Sequence, residues 1–241
     1  RSSAASYVYK RQMMKIWNDF IKLFYPDLCV VCEQPLVEGE EHICLRCLGK
    51  LLYRVSLNEA QINSLFAGKS GIIYAAAYLV FKRDTTVRRV IHDLKYHGNK
   101  RLAYYLGRMA FLKYQKLNDP ICHVDVLLPV PLHPKRKEKR GYNQSEWIAK
   151  GISSVLHIPI DTTTLRRKVK TDTQTKKKVF GRWQNMENVF EVVDYYALQG
   201  KRVLLIDDVM TSGSTFNACA HELEAIQNIK LFAFALSMVP R

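Results

Sequence analysis

Residues 203–215 read VLLIDDVMTSGST, and the fold of the chain is legible from them. Val203, Leu204, Leu205 and Ile206 form a continuous apolar run, the pattern of a central parallel strand buried on both faces. Asp207 and Asp208 follow at the carboxyl end of that run, where ligands bind in open α/β sheets. Thr211, Ser212, Gly213, Ser214 and Thr215 then make a short hydroxyl-bearing turn that opens a helix near Ser214. Such a turn aims backbone amides and hydroxyls at one point beside a helix N-terminus, a cup for a phosphate dianion. Two carboxylates close by can accept hydrogen bonds from vicinal hydroxyls. Phosphate grips and diol acceptors therefore stand about one ribose apart, and the stretch is read as a site for a ribose 5-phosphate group.

Other readings of the stretch fit less well. A Walker loop needs GxxxxGK[ST], and a dinucleotide fold needs GxGxxG; neither pattern occurs. A receiver domain also carries paired acids after a strand, but there they precede most of the domain. A plain helix cap accounts for Ser212 or Ser214 but not for the doubled aspartate.

Outward from this stretch, strand-like and helix-like runs alternate from residue 70 onward, the signature of an α/β fold with a parallel sheet. IIYAAAYLV at 72–80 reads as a strand, with Asp84 or Thr85 as the cap of the next helix. Val87, Val90, Ile91 and Leu94 mark one face of that helix, which ends near Gly98. A second helix is expected over 102–115, a buried strand over 124–130 and a helix from Asn143 to Val155. Strand 202–206 follows a turn at Gly200, and LFAFALSMV at 231–239 is expected to close the sheet. The polar stretch 166–188 is long enough to be a functional loop.

Cys29, Cys32, Cys44 and Cys47 form two C-x2-C pairs separated by eleven residues. Each tight turn points two thiolates at one ion while backbone amides face the sulfurs, and two turns complete a closed tetrahedral zinc site. Pro35 and Gly39 suit the reversals, and Leu36 and Leu48 are placed to cover the metal. The segment is too short to build a core, so zinc is expected to supply much of its folding energy. A pair of disulfides is disfavoured in a cytoplasmic protein, the compartment expected here. His42 is an alternative ligand, though four thiolates are the simpler set. Cys122 and Cys219, in apolar contexts, read as inert core thiols. Ahead of the cysteines, Ile16, Trp17, Phe20, Ile21, Leu23 and Phe24 form an apolar helical stripe that suits packing on its own domain or a partner helix.

The division expected is residues 1–12 outside the native fold, a helix and four-cysteine zinc module over 13–60, and an α/β domain over 70–241. The first dozen residues lack the apolar core of a signal peptide. No window approaches the roughly eighteen apolar residues of a membrane-spanning helix. Net charge is +15, and segments 135–140 and 161–185 supply ten of those charges. Charge so concentrated points to an anionic partner, phosphate or nucleic acid.

Residues 203–215 resemble the phosphoribosyl pyrophosphate (PRPP) signature of type I phosphoribosyltransferases. Taken with the cysteine pairs at 29–47, LKYHGNKRLA at 94–103 and LLPVPLHPKRKEKRGYNQ at 127–144, the chain resembles the ComF family, associated with DNA uptake in natural competence. The resemblance implies a phosphoribosyltransferase-like parallel sheet bearing a small zinc-ribbon-like module. It implies that Asp207 and Asp208, the catalytic pair, meet the ribose diol and that Thr211, Ser212, Gly213, Ser214 and Thr215 take the 5′-phosphate. His133, Lys135, Arg136, Arg140 and Gly141 would face pyrophosphate, while Gln174, Arg182 and Asn185 resemble a flexible hood. Mg2+ is implied with PRPP, because pyrophosphate and diol oxygens make a hard oxygen site. Two functions follow: a glycosyltransferase moving phosphoribose to an acceptor, or a non-catalytic module binding PRPP or single-stranded DNA beside other competence proteins. In the second, Tyr142, Phe180 and Trp183 stack on bases.

Overall fold

The computed structural model describes residues 9, 13, 17, 20–21, 24–51, 57–66, 70–81, 86–168 and 189–239. The chain divides into two compact units, Arg1–Lys50 and Leu51–Arg241.

In the first unit, Leu28 and Pro35 pair across an antiparallel bridge. The Cys29 amide donates to the Gln34 carbonyl at 2.9 Å and the Leu36 amide to Asp27 at 2.8 Å. The turn inside this hairpin uses a left-handed residue, Glu33, and the following reversal uses Gly39 at φ 88°. Glu40 ties the reversal together, its two carboxylate oxygens accepting from the amides of Val37 (3.0 Å) and Leu45 (2.7 Å). These bonds, that to Leu45 foremost, hold its carboxyl below the usual range. Helix α1 is a single turn, Leu45–Leu48. Leu36 and Leu48 are only half-buried, and the buried aliphatic residues beside the cysteines are instead Val31 and Ile43. Trp17, Phe20, Ile21 and Phe24 of the N-terminal stripe are helical and exposed. Trp17 and Phe24 meet Phe20 edge-on at 6.3 and 5.4 Å.

The second unit runs α2 (Glu59–Phe66), β1 (Ile72–Val80), α3 (Thr86–Tyr96), α4 (Lys100–Lys116), β2 (Val126–Pro129), α5 (Pro134–Arg140) and α6 (Gln144–Leu156). It continues through β3 (Leu165–Arg167), β4 (Phe190–Val192), β5 (Arg202–Met210), α7 (Ser214–Leu223) and β6 (Lys230–Met238). The main sheet has the order β1-β6-β5-β2, and every pairing in it is parallel. This is the α/β fold class expected. A parallel strand must be covered on both faces, and β5 shows it: Val203 to Ile206 are each 0% exposed. Side chains alternate along a strand. Val203 and Leu205 accordingly join a cluster with Leu65 and Phe66 of α2 and Phe216, Cys219 and Leu223 of α7. On β6, Phe234 meets Phe111 and Tyr114 of α4 at ring separations of 5.1 and 6.0 Å. Helices α4 and α6 approach backbone to backbone at Gly107 and Gly151. A Cβ on Gly151 would lie 2.1 Å from the Tyr104 carbonyl oxygen, and one on Gly107 would lie 2.4 Å from that of Ile148.

Several boundaries differ from the sequence reading. The strand through the acid pair does not stop at 206 but runs to Met210, because the β6 ladder continues past it to Met210↔Met238. β6 does not close the sheet but lies inside it, between β1 and β5. KRKEKR is helical, forming all of α5 after its first residue; His133 caps the helix, Pro134 begins it and left-handed Gly141 (φ 74°) ends it. The antiparallel ribbon β3–β4 was not anticipated; its two strands flank 169–188, which with Asp84 and Thr85 lie outside the described residues. No helix among the described residues is long and apolar enough to cross a membrane.

Candidate functional site

The acid pair sits where the fold class places a ligand, on the carboxyl half of an interior parallel strand. By strand alternation the two carboxylates leave opposite faces, Asp207 in phase with Val203 and Leu205, Asp208 in phase with Leu204 and Ile206. Their surroundings differ accordingly. Asp207 Oδ1 accepts from the Ser145 hydroxyl at 3.2 Å and from the Asp208 amide at 2.8 Å. Burial, and after it the negative charge of Asp208, pushes its carboxyl up to about 7. Asp208 is 9% exposed, and its Oδ2 lies 3.4 Å from Lys95 Nζ.

Beyond Met210 the chain turns through exposed Thr211 and Ser212 into left-handed Gly213 (φ 74°), the residue before α7. A side chain there would meet the Phe66 ring at 3.1 Å and the Leu65 carbonyl at 3.3 Å, so position 213 favours glycine twice over. No side chain caps α7, which leaves its first-turn amides for an anion. The Ser212 and Ser214 hydroxyls are 2.9 Å apart beside that terminus. Asn217 anchors the turn from behind, its amide nitrogen donating to Leu65 (3.1 Å) and its oxygen accepting from Ser70 (2.7 Å).

The residues expected to face pyrophosphate are distributed unevenly. Lys135 and Arg136 are exposed on α5. His133 is engaged in capping, its Nδ1 accepting from the Lys135 amide at 3.2 Å. Arg140 donates to Gln144 at 3.0 Å, and Gly141 is the left-handed stop of α5. The segment after it is fixed firmly: Asn143 donates to the Val130 carbonyl at 3.0 Å and caps α6, which brings Ser145 to Asp207. Tyr142 is 3% exposed and donates to the Leu94 carbonyl, so it is a core residue and not a stacking platform for bases. Gln174, Phe180, Arg182, Trp183 and Asn185 lie outside the described residues.

Two residues of the site escaped the sequence reading. Ser145 lies in a helix read only by its bounds, and Lys95 in one read only for its apolar face. Arg167, on β3, stacks over Phe190 at 5.3 Å. Burial first, and then the positive charge of Arg136, lowers its pKa, while Asp207 opposes that shift. The signal for Lys95 was available in LKYHGN, a motif otherwise without a role.

The cysteine unit presents a second site. Sulfurs of Cys29, Cys32, Cys44 and Cys47 all lie within 4.8 Å of one another, with Cys32 and Cys44 3.7 Å apart. A tetrahedron of thiolates about 2.3 Å from zinc has edges of about 3.8 Å, so the four cysteines could hold such an ion. The Cys44 amide faces the Cys29 sulfur at 3.3 Å, support of the kind that orients metal ligands. A backbone amide at Gln34 draws the Cys32 thiol down to about 6, whereas burial pushes Cys47 up to about 12. His42 stands outside the cluster. Cys219 is fully buried with its thiol pushed up by that burial, and Cys122 is pushed up to about 11 for the same reason, in keeping with inert thiols.

No family model matches the chain. Among solved structures it is similar to a purine phosphoribosyltransferase from Pyrococcus horikoshii, at 16% identity and TM-score 0.36 over 56% of this chain and 73% of that one. It is also similar to a hypoxanthine phosphoribosyltransferase from Staphylococcus aureus, at 11% identity and TM-score 0.35 over 58% and 74%. Among curated proteins, DNA utilization protein YhgH of Escherichia coli O157:H7 is 26% identical over 212 residues, 80% of this chain and 88% of the relative. Competence protein F of Haemophilus influenzae is 33% identical over 151 residues, 61% of this chain and 66% of the relative. Competence protein ComFC of Bacillus subtilis is 33% identical over 200 residues, which span 82% of this chain and 79% of that protein. With one residue in three shared across most of both chains, this protein is a member of the ComF family.

Proposed function

We propose that the chain binds PRPP at the carboxyl end of β5 and acts as a phosphoribosyltransferase in DNA utilisation. One observation carries the reading: an acid pair, Asp207 half-buried and Asp208 buried, on an interior strand is followed directly by an uncapped, hydroxyl-lined helix N-terminus. In this reading the α7 amides with Thr211, Ser212, Ser214 and Thr215 hold the 5-phosphate. Asp207 and Asp208 accept from the ribose hydroxyls. Cations of 135–140, with Arg167, meet the leaving pyrophosphate. The bond from C1 to the pyrophosphate oxygen breaks with its electron pair on the leaving group, and an acceptor lone pair closes on C1. Fixed positive charge around the departing oxygens lowers the cost of that separation. Mg2+ would come with the substrate, held mainly by pyrophosphate and diol oxygens whose charge it would neutralise, with the carboxylates of Asp207 and Asp208 as the hard oxygens nearby.

Zinc at the four cysteines is part of the same reading, as a structural ion. A role beside other competence proteins, or on single-stranded DNA, is the alternative; the burial of Tyr142 removes one of the three aromatic platforms it used. Pyrophosphate release, measured with PRPP, Mg2+ and a panel of acceptors, tests the enzyme. Release that disappears in the Asp207→Asn, Asp208→Asn variant supports it. PRPP binding without release for any acceptor would overturn catalysis in favour of a binding module. Salt-sensitive single-strand binding that survives the double change would favour DNA as the ligand.

A further inference from the structure

LKYHGNKRLA at 94–103 has no assigned role, yet the structure carries it to the acid pair. Leu94 is the buried residue of the last turn of α3. Its carbonyl accepts from both the Tyr142 hydroxyl and, at 3.2 Å, the Gln144 side chain. Gln144 is held in turn by Arg140 at 3.0 Å. The turn is thus clamped from the 140–144 segment, and the clamp presents Lys95 to Asp208. The nearest competing acid on the same helix, Asp93, is occupied: His97 contacts it at 2.8 Å and Asn99 donates to it at 2.9 Å. Lys95 keeps part of its side chain open, at 26% exposure against 13% for Asp208. At 3.4 Å the pair is looser than a tight charge-assisted hydrogen bond.

We propose that Lys95 is a substrate-binding residue of the diol site, its ammonium donating to the same ribose hydroxyl that donates to Asp208. The inference rests on the phosphoribosyl reading above and adds a residue to it. A carboxylate alone can only accept from a hydroxyl, and an ammonium alone can only donate. Side by side they satisfy both functions of one hydroxyl group. Lys95 also balances the charge of Asp208 before substrate arrives, so the site need not attract a bare divalent cation. Mg2+ then enters as the partner of pyrophosphate.

The test is calorimetry of the full chain with PRPP over a series of Mg2+ concentrations, comparing wild type with Lys95→Gln and Lys95→Arg. Lys95→Gln is expected to bind PRPP at least about ten-fold more weakly at saturating Mg2+, the cost of a lost hydrogen bond to a charged group. The Mg2+ concentration for half-maximal binding should fall in that variant, because an unbalanced carboxylate attracts the cation. Lys95→Arg should restore the midpoint and only part of the affinity, since the charge returns in a different shape. Unchanged affinity in Lys95→Gln overturns the proposal. So does weaker binding with an unmoved midpoint, which would make Lys95 a packing residue. Should Lys95→Gln fail to fold, Lys95→Arg decides, and wild-type affinity there counts against substrate contact. Wild-type protein that does not bind PRPP defeats the phosphoribosyl reading itself, before any variant is compared.

Discussion

In the cysteine unit, residues 27–48, the buried side chains are three cysteines and two aliphatics, Val31 and Ile43. In the sheet domain, four consecutive residues of one strand are wholly buried, and apolar side chains from two helices close over one face of it. The first region has hairpin and turn hydrogen bonds with almost nothing to pack; the second would persist with its polar edges trimmed. The difference is one of driving force. Burial of apolar area holds the sheet, whereas the small unit needs a cross-link, and thiol sulfurs 3.7 Å apart suit a metal better than any packing. The residues proposed to bind substrate divide along the same line, since the acid pair and the turn at 211–215 sit on the self-sufficient region.

Metal removal is the largest way to break the comparison. A strong chelator, or Cys44→Ser, should abolish hydrogen-exchange protection over 27–48, where binding of a structural metal contributes on the order of 10 kcal/mol. Amides of 203–206 should stay protected; loss of both together would contradict the contrast. Next is Gly151→Ala, which forces a methyl against the Tyr104 carbonyl. It should cost the sheet domain about 3 kcal/mol in urea unfolding and leave metal content unchanged.

A smaller effect is expected from Asp207→Asn, and it depends on pH. The folded state holds this carboxyl up at about 7, above its unfolded value. Its contribution to stability is full below the unfolded pKa near 4 and is lost as pH rises through 7. The asparagine variant, which does not ionise, should therefore be more stable than wild type at pH 8 and little changed at pH 4. Melting curves at the two pH values check it, and an equal effect at both would contradict burial as the cause. Tyr142→Phe is the mildest: the Leu94 carbonyl keeps its bond from Gln144, so the loss should be about 1 kcal/mol.

What the sequence made legible follows physical lines. The uninterrupted run at 203–206 announced a strand buried on both faces, and the 3.6-residue spacing of Val87, Val90, Ile91 and Leu94 announced a buried helix face, because burial leaves a period. Cys29 to Cys47 were legible because metal geometry constrains spacing. Helix α5 was hidden by its charge, although Pro134 and Gly141 marked its start and stop. β3 and β4 are three residues each, too short to show a period. Ser145 and Lys95 come to the acid pair from other elements, and contacts of that kind depend on strand order, which local patterns do not encode. The alternation of Asp207 and Asp208 between faces was implicit in a strand extended past 206, and was missed with the strand's true end.

Calorimetric titration of PRPP with Mg2+ into wild-type protein and into the Asp207→Asn, Asp208→Asn variant tests the central claim most directly. Saturable, Mg2+-dependent binding to wild type that disappears in a variant still folded by its melting curve is the predicted result. No binding to wild type, or binding undiminished by the double change, would contradict a phosphoribosyl site at the end of β5.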